Sequence, residues 1–126
     1  MLGNAQAAAT IAVNDSNAAK AFYRDKLGLR IAQELGPETF VCAAGNGSMI
    51  LIYHRPNHLP SAATVLSLQV DDLAAEMADL GSRGVRFEDY DIPGLKTENG
   101  VATMPGGAKA AWFTDPDGNI ISIAQM

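Results

Sequence analysis

Ala111-Trp112-Phe113-Thr114-Asp115-Pro116-Asp117-Gly118-Asn119-Ile120-Ile121-Ser122-Ile123-Ala124-Gln125 decides how the rest of the chain is read. Asp-Pro-Asp-Gly is turn chemistry. Proline presets φ for a turn position, and glycine accepts a positive φ. Apolar runs on both sides turn the stretch into strand, tight turn, strand. Taken alone, that is a hairpin and nothing more.

Upstream, one grammar runs twice. Ala8–Asn14 reads as a strand, and Asp15 or Ser16 caps a helix, because a short side-chain oxygen accepts from a free N–H in the first turn. Ala19, Tyr23 and Leu27 recur at helical spacing, with Phe22 beside them, and Gly28 ends this helix after about Lys26. Leu29–Leu35, Thr39–Ala44 and Met49–His54 are three strands, parted by Gly36-Pro37 and by Gly45-Asn46-Gly47. Arg55 to Ser61 holds two prolines and no periodicity, and is a linker. The pattern then restarts. Thr64–Val70 is a strand, Asp71 or Asp72 caps a helix bearing Leu73, Met77 and Leu80, and Gly84 follows. Val85–Asp91, Val101–Met104 and Ala108–Phe113 are strands, with a long loop at Ile92–Gly100 and the closing strand at Asn119–Gln125.

Local echoes support an internal repeat. Ala12-Val13-Asn14-Asp15 parallels Gln69-Val70-Asp71-Asp72, and Gly28-Leu29-Arg30-Ile31 parallels Gly84-Val85-Arg86-Phe87. Gly47 and its strand parallel Gly118 and its strand. The fold expected is α+β, two βαβββ repeats within one domain over residues 1–126. Repeat one covers about 7–55, the linker about 56–63 and repeat two about 64–126. A ferredoxin-like domain has only four strands and accommodates eight less well.

The run from Trp112 to Asn119 with its following strand, and the doubled order of motifs over nearly the whole chain, resemble the vicinal oxygen chelate superfamily. It holds glyoxalase I, extradiol dioxygenases and bleomycin-resistance proteins. The resemblance implies a curled mixed sheet, a cup for the ligand, with helices on its outer face. It also implies a dimer.

Alternation along the strands separates a consistently aliphatic face from a mixed one. Cup-facing candidates are Thr10, Tyr53, Ser67, Gln69, Arg86, Glu88, Tyr90, Trp112 and Ser122, with Leu51, Met49 and Phe40 as apolar wall. Apolar lining with a few polar anchors is what a small-molecule pocket needs. The ligand-binding set is therefore Tyr53, Ser67, Gln69, Glu88, Tyr90, Trp112 and Ser122. The same residues would equally fill a solid core or a dimer seam. The loop Asp91 to Gly100 is placed over the cup mouth, with Leu95 and Lys96 as lid residues.

In the superfamily's metal enzymes the resemblance carries ligands onto Ala8, Leu51, Val65 and Ser122. None of these side chains binds a divalent metal at neutral pH, which takes carboxylate, imidazole or thiolate donors. A slip of one or two residues does not restore a site: residues 6 to 12 offer only Gln6 and Thr10, and 63 to 69 only Thr64, Ser67 and Gln69. His54 and His58 read as solvent-facing loop residues, since Pro56 between them argues against a helix. The expectation is no metal and no cofactor. Cys42, mid-strand in apolar company, reads as a buried residue rather than a nucleophile.

Composition narrows the partners. The chain has 126 residues, 48% apolar, one cysteine and a formal charge of −5 without a Lys/Arg cluster. That disfavours nucleic acid, which needs a basic face. No apolar run reaches membrane-spanning length, no signal peptide shows at Met1 to Ala9, and a lone thiol makes no internal disulfide. A cytoplasmic homodimer that binds a small molecule is expected. The alternatives are a glyoxalase-like lyase or dioxygenase-like enzyme, with an unusual metal site or Glu88 as base, and a scaffold whose cup is filled by its own side chains.

Overall fold

The computed structural model describes residues 1–126, which divide into two compact units, Met1–Leu59 and Pro60–Met126. The first holds strand β1 (Ala9–Val13), helix α1 (Ser16–Ala21), β2 (Arg30–Glu34), β3 (Thr39–Ala43) and β4 (Met49–His54). Its sheet has the order β1-β4-β3-β2. β1 runs parallel to β4, and the other pairs are antiparallel. The second holds β5 (Thr64–Gln69), α2 (Leu73–Ser82), β6 (Asp91–Ile92), β7 (Leu95–Lys96), β8 (Ala102–Thr103), β9 (Lys109–Thr114) and β10 (Ile120–Gln125). Its main sheet repeats the topology as β5-β10-β9-β8, and β6 and β7 form a separate two-stranded ribbon. This is the α+β, doubled fold expected.

Matching chemistry starts both helices. The Asp15 carboxylate accepts from the Ala18 N–H at 3.0 Å, and that of Asp72 from the Ala75 N–H at 3.1 Å. α1 continues into a π-helical stretch, Phe22–Lys26, where the Leu27 N–H reaches the Phe22 carbonyl at 3.0 Å. Gly28, at φ +75°, then ends it. The closing turn is held by Asp115. Its carboxylate accepts from the N–H groups of Asp117 and Asn119 and from the Asn119 side-chain amide, at 2.8 to 3.0 Å. Gly118 sits at φ +89°, so the turn needs its glycine.

In each unit one sheet face lies under its helix, and its central residues are buried. In the first, Ile11 and Val13 line up with Ile52 and His54, and Phe40 and Cys42 with Ile52 and Ile50. Phe22 and Tyr23, edge to face at 5.3 Å, complete that core. Each such buried side chain contributes about 1.5–3 kcal/mol. In the second, Phe113, Ala111, Ile121 and Ile123 are buried with Leu73 and Leu80 of α2, and Phe87 meets Phe113 edge to face at 5.8 Å.

Three expectations change. Phe40 belongs to the helix side rather than the ligand wall: it is 1% exposed, with the Lys20 ammonium over its ring at 5.5 Å. Both faces of β3 are apolar, so alternation carries no sign there. Val85–Asp91 is not a regular strand; residues 85–90 hold no ladder, although the Glu88 N–H donates to the Trp112 carbonyl at 2.8 Å. The segment expected to be an irregular loop instead contains the β6–β7 ribbon.

Candidate functional site

The face of the second sheet away from α2 brings most of the expected residues together. Ser122 lies opposite Trp112 on β9 and opposite Ser67 on β5. Its hydroxyl donates to the Ser67 hydroxyl at 2.8 Å. The Trp112 indole N–H donates to the Thr64 hydroxyl at 3.2 Å. Tyr90 stands edge to face on Trp112, with ring centroids 5.8 Å apart at 89°. Leu95, Met104, Ile120 and Ala124 pack around Ala102, Ala110 and Trp112. Gln69, beside Ala124 on the outer strand β5, is exposed.

Trp112 is therefore the floor of this face and is only 8% exposed. What remains open is its rim: Ser67 and Gln69 on one side, and half-buried Tyr90 and Leu95 on the other. Burial raises the Tyr90 phenol above the ordinary tyrosine value, and the nearby Glu88 carboxylate pushes it the same way. Glu88 itself is exposed, and its link to the site is its main-chain bond to Trp112. Tyr53 sits in the other unit, between Ala12 and Thr39 on the sheet face away from α1.

A latch that sequence reasoning missed positions Tyr90 and Leu95. The Asp89 carboxylate accepts from the Thr97 hydroxyl and from the Gly100 N–H, each at 2.8 Å. The Thr97 hydroxyl in turn accepts from the Tyr90 N–H at 2.8 Å. Gly100 is required here: at φ +80°, an added Cβ would lie 3.2 Å from the Phe87 Cβ. Asp89 precedes a turn-rich loop, and an Asp in that position is the one signal the sequence offered. Thr64 was also missed, because only the bulge between Ile120 and Ile121 brings its hydroxyl to the indole.

The donor set does not fit a metal. Leu51 pairs with Thr10, and Ser122 with Ser67; Ala8 precedes β1, and Val65 lies two residues before Ser67. Three aliphatic side chains and one neutral hydroxyl are poor ligands for zinc, nickel or iron. No three His, Cys, Asp or Glu side chains gather anywhere in the molecule. His54 is not the solvent-facing loop histidine expected: it is the last residue of β4, half-buried, and its Nδ1 lies 3.0 Å from the Glu38 carboxylate. Cys42 is 0% exposed, and burial pushes its thiol up to about 11, so it is inert as a nucleophile.

The model of the glyoxalase/bleomycin resistance protein/dioxygenase superfamily matches residues 5–123. The chain belongs to this superfamily. A glyoxalase/bleomycin resistance protein from Catenulispora acidiphila DSM 44928 is 27% identical, with TM-score 0.72, covering 96% of this chain and 97% of that one. TnmS3, an antibiotic binding protein from Streptomyces sp. CB03234, is 25% identical with TM-score 0.65 and 97% of both chains covered. Lactoylglutathione lyase from Agrobacterium tumefaciens is 20% identical with TM-score 0.72, covering 97% and 93%, and shares the fold alone. A search of curated proteins finds no match. No helix is long and apolar enough to cross a membrane.

Proposed function

We propose that this superfamily member is a metal-free binder of an organic small molecule, held in the sheet cup near a dimer interface. The ligand rests on the rim over Trp112. Tyr90 offers an aromatic edge, while Ser67, Ser122 and Gln69 offer hydroxyl and amide anchors. One observation carries this reading. At the four positions onto which the superfamily resemblance carries metal ligands, this chain has three aliphatic side chains, Ala8, Leu51 and Val65, and one hydroxyl, Ser122, which lies beside an aromatic, apolar floor. Such a surface binds without any transition-state machinery. The antibiotic-binding relative supports the same class of use. A homodimer is supported by β5, the outer strand of its sheet, whose Thr64, Val65, Ser67 and Gln69 are exposed. The competing reading, a lyase or oxygenase, needs an ion these positions do not grip, or Glu88 as base.

Trp112 is the only tryptophan, so its fluorescence reports this face alone. Titration with cationic glycopeptides and aromatic metabolites should give saturable quenching matched by calorimetric heat. Absence of both signals with every member of the panel overturns the binding role.

A further inference from the structure

The second unit carries a cavity of about 340 Å³ that the Trp112 face does not use. Strand alternation sets its side. Lys109 shares a face with Ala111 and Phe113, and Gln125 shares one with Ile121 and Ile123, whereas Trp112 and Ser122 point the other way. The cavity thus lies on the α2 side of the sheet. Leu73, Ala74 and Met77 of α2 and Val101 give it apolar walls. Its size falls near the lower end of ligand pockets, which run from about 300 to 1,000 Å³.

The only charged group at this cavity is an ammonium, that of Lys109. Lys109, Asn99 and Gln125 each bring nitrogen donors to it. The Gln125 carbonyl oxygen is already committed, accepting from the Leu73 N–H at 2.8 Å, which leaves the amide NH2 to donate. Lys109 is exposed and is in none of the ion pairs that join Lys20 to Glu34, Arg24 to Asp25, His54 to Glu38 and Arg83 to Asp79. No carboxylate lines the cavity. Lys109 therefore gives this cavity a positive charge that no lining carboxylate offsets.

We propose that this cavity is a second binding site, for a small amphiphilic carboxylate. Its alkyl or aryl body lies on Leu73, Met77 and Val101, and its carboxylate meets the Lys109 ammonium and the Gln125 amide. A neutral ligand gains the wall but not the charge-assisted contact, which is about twice as strong as a neutral hydrogen bond. A cation meets the like charge of Lys109 and no carboxylate.

The test uses octanoate and 3-phenylpropanoate, with octanol and 3-phenylpropanol as uncharged counterparts, titrated into the full chain and followed by amide NMR. The expected result is saturable shifts at Leu73, Met77, Val101 and Lys109, with the Trp112 indole unmoved. The alcohols should bind about tenfold more weakly. Lys109→Gln should weaken the acids about tenfold, Lys109→Arg should retain most of the affinity, and Ala74→Leu should block the cavity. Equal binding of acid and alcohol, shifts centred on Trp112, or no saturation would overturn the proposal. The two faces are read by separate signals, so failure of one site leaves the other standing.

Discussion

In the first unit, the rings of Phe22, Tyr23 and Phe40 are buried on the helix side, and Tyr53 is the lone aromatic on the opposite face. In the second, Phe87 and Phe113 keep a helix-side pair, but Tyr90 and Trp112 form another on the opposite face. The contrast arises where the topology departs from regularity. β2 makes a ladder with β3, interrupted by one bulge between Ile31 and Gln33. The corresponding residues 85–90 hold the sheet through Glu88, then turn into a ribbon latched by Asp89. A strand surrendered in the second copy frees Tyr90 and Leu95 to close over Trp112. The doubled topology supplies the scaffold, and the irregular copy supplies the Tyr90–Trp112 face.

Cutting the helix-side core should have the largest effect and should not distinguish the units. Phe113→Ala removes a fully buried ring and should cost about 3–5 kcal/mol in urea unfolding, as should Phe40→Ala in the first unit. Asp89→Ala should be smaller and confined to the second unit. It strips partners from the buried Thr97 hydroxyl and Gly100 N–H, costing about 1–3 kcal/mol. It should also raise hydrogen exchange over residues 89–100 while leaving the first unit unchanged. Equal loosening of both units would erase the contrast.

The caps sharpen the comparison from the opposite side, because there the copies are alike. Asp15→Ala and Asp72→Ala should each cost about 1 kcal/mol. The smallest effect concerns Tyr90. Its phenol titrates above the ordinary tyrosine value, and Glu88→Gln should bring it part of the way back in an ultraviolet titration. The folded state favours the neutral phenol. The unfolded chain therefore ionises first, and this contribution to stability is lost as pH rises through about 10. A phenol unmoved by Glu88→Gln would leave burial as the sole cause.

What the sequence disclosed was local chemistry. Asp-Pro-Asp-Gly, the capping aspartates and the glycine after the first helix specify their own geometry from a few neighbouring residues, and all appear in place. Ser67, Trp112 and Ser122 share one face because alternation across regular strands is reliable, whereas Tyr90 reaches that face from an irregular segment that alternation does not describe. Phe40 was not legible, since both sides of β3 are apolar and only its partner Ile52 fixes the sign. The ribbon, the Asp89 latch and Thr64 were hidden for one reason. Each depends on hydrogen bonds whose partners the local pattern does not specify.

The central claim is that the second unit's open face holds an organic molecule without an ion of its own. Elemental mass spectrometry tests it directly, on protein incubated with zinc, nickel, manganese and ferrous iron and then desalted. The account predicts far less than one equivalent of any metal per chain. About one equivalent retained, and lost on replacing Ser67 and Ser122 together by alanine, would contradict it.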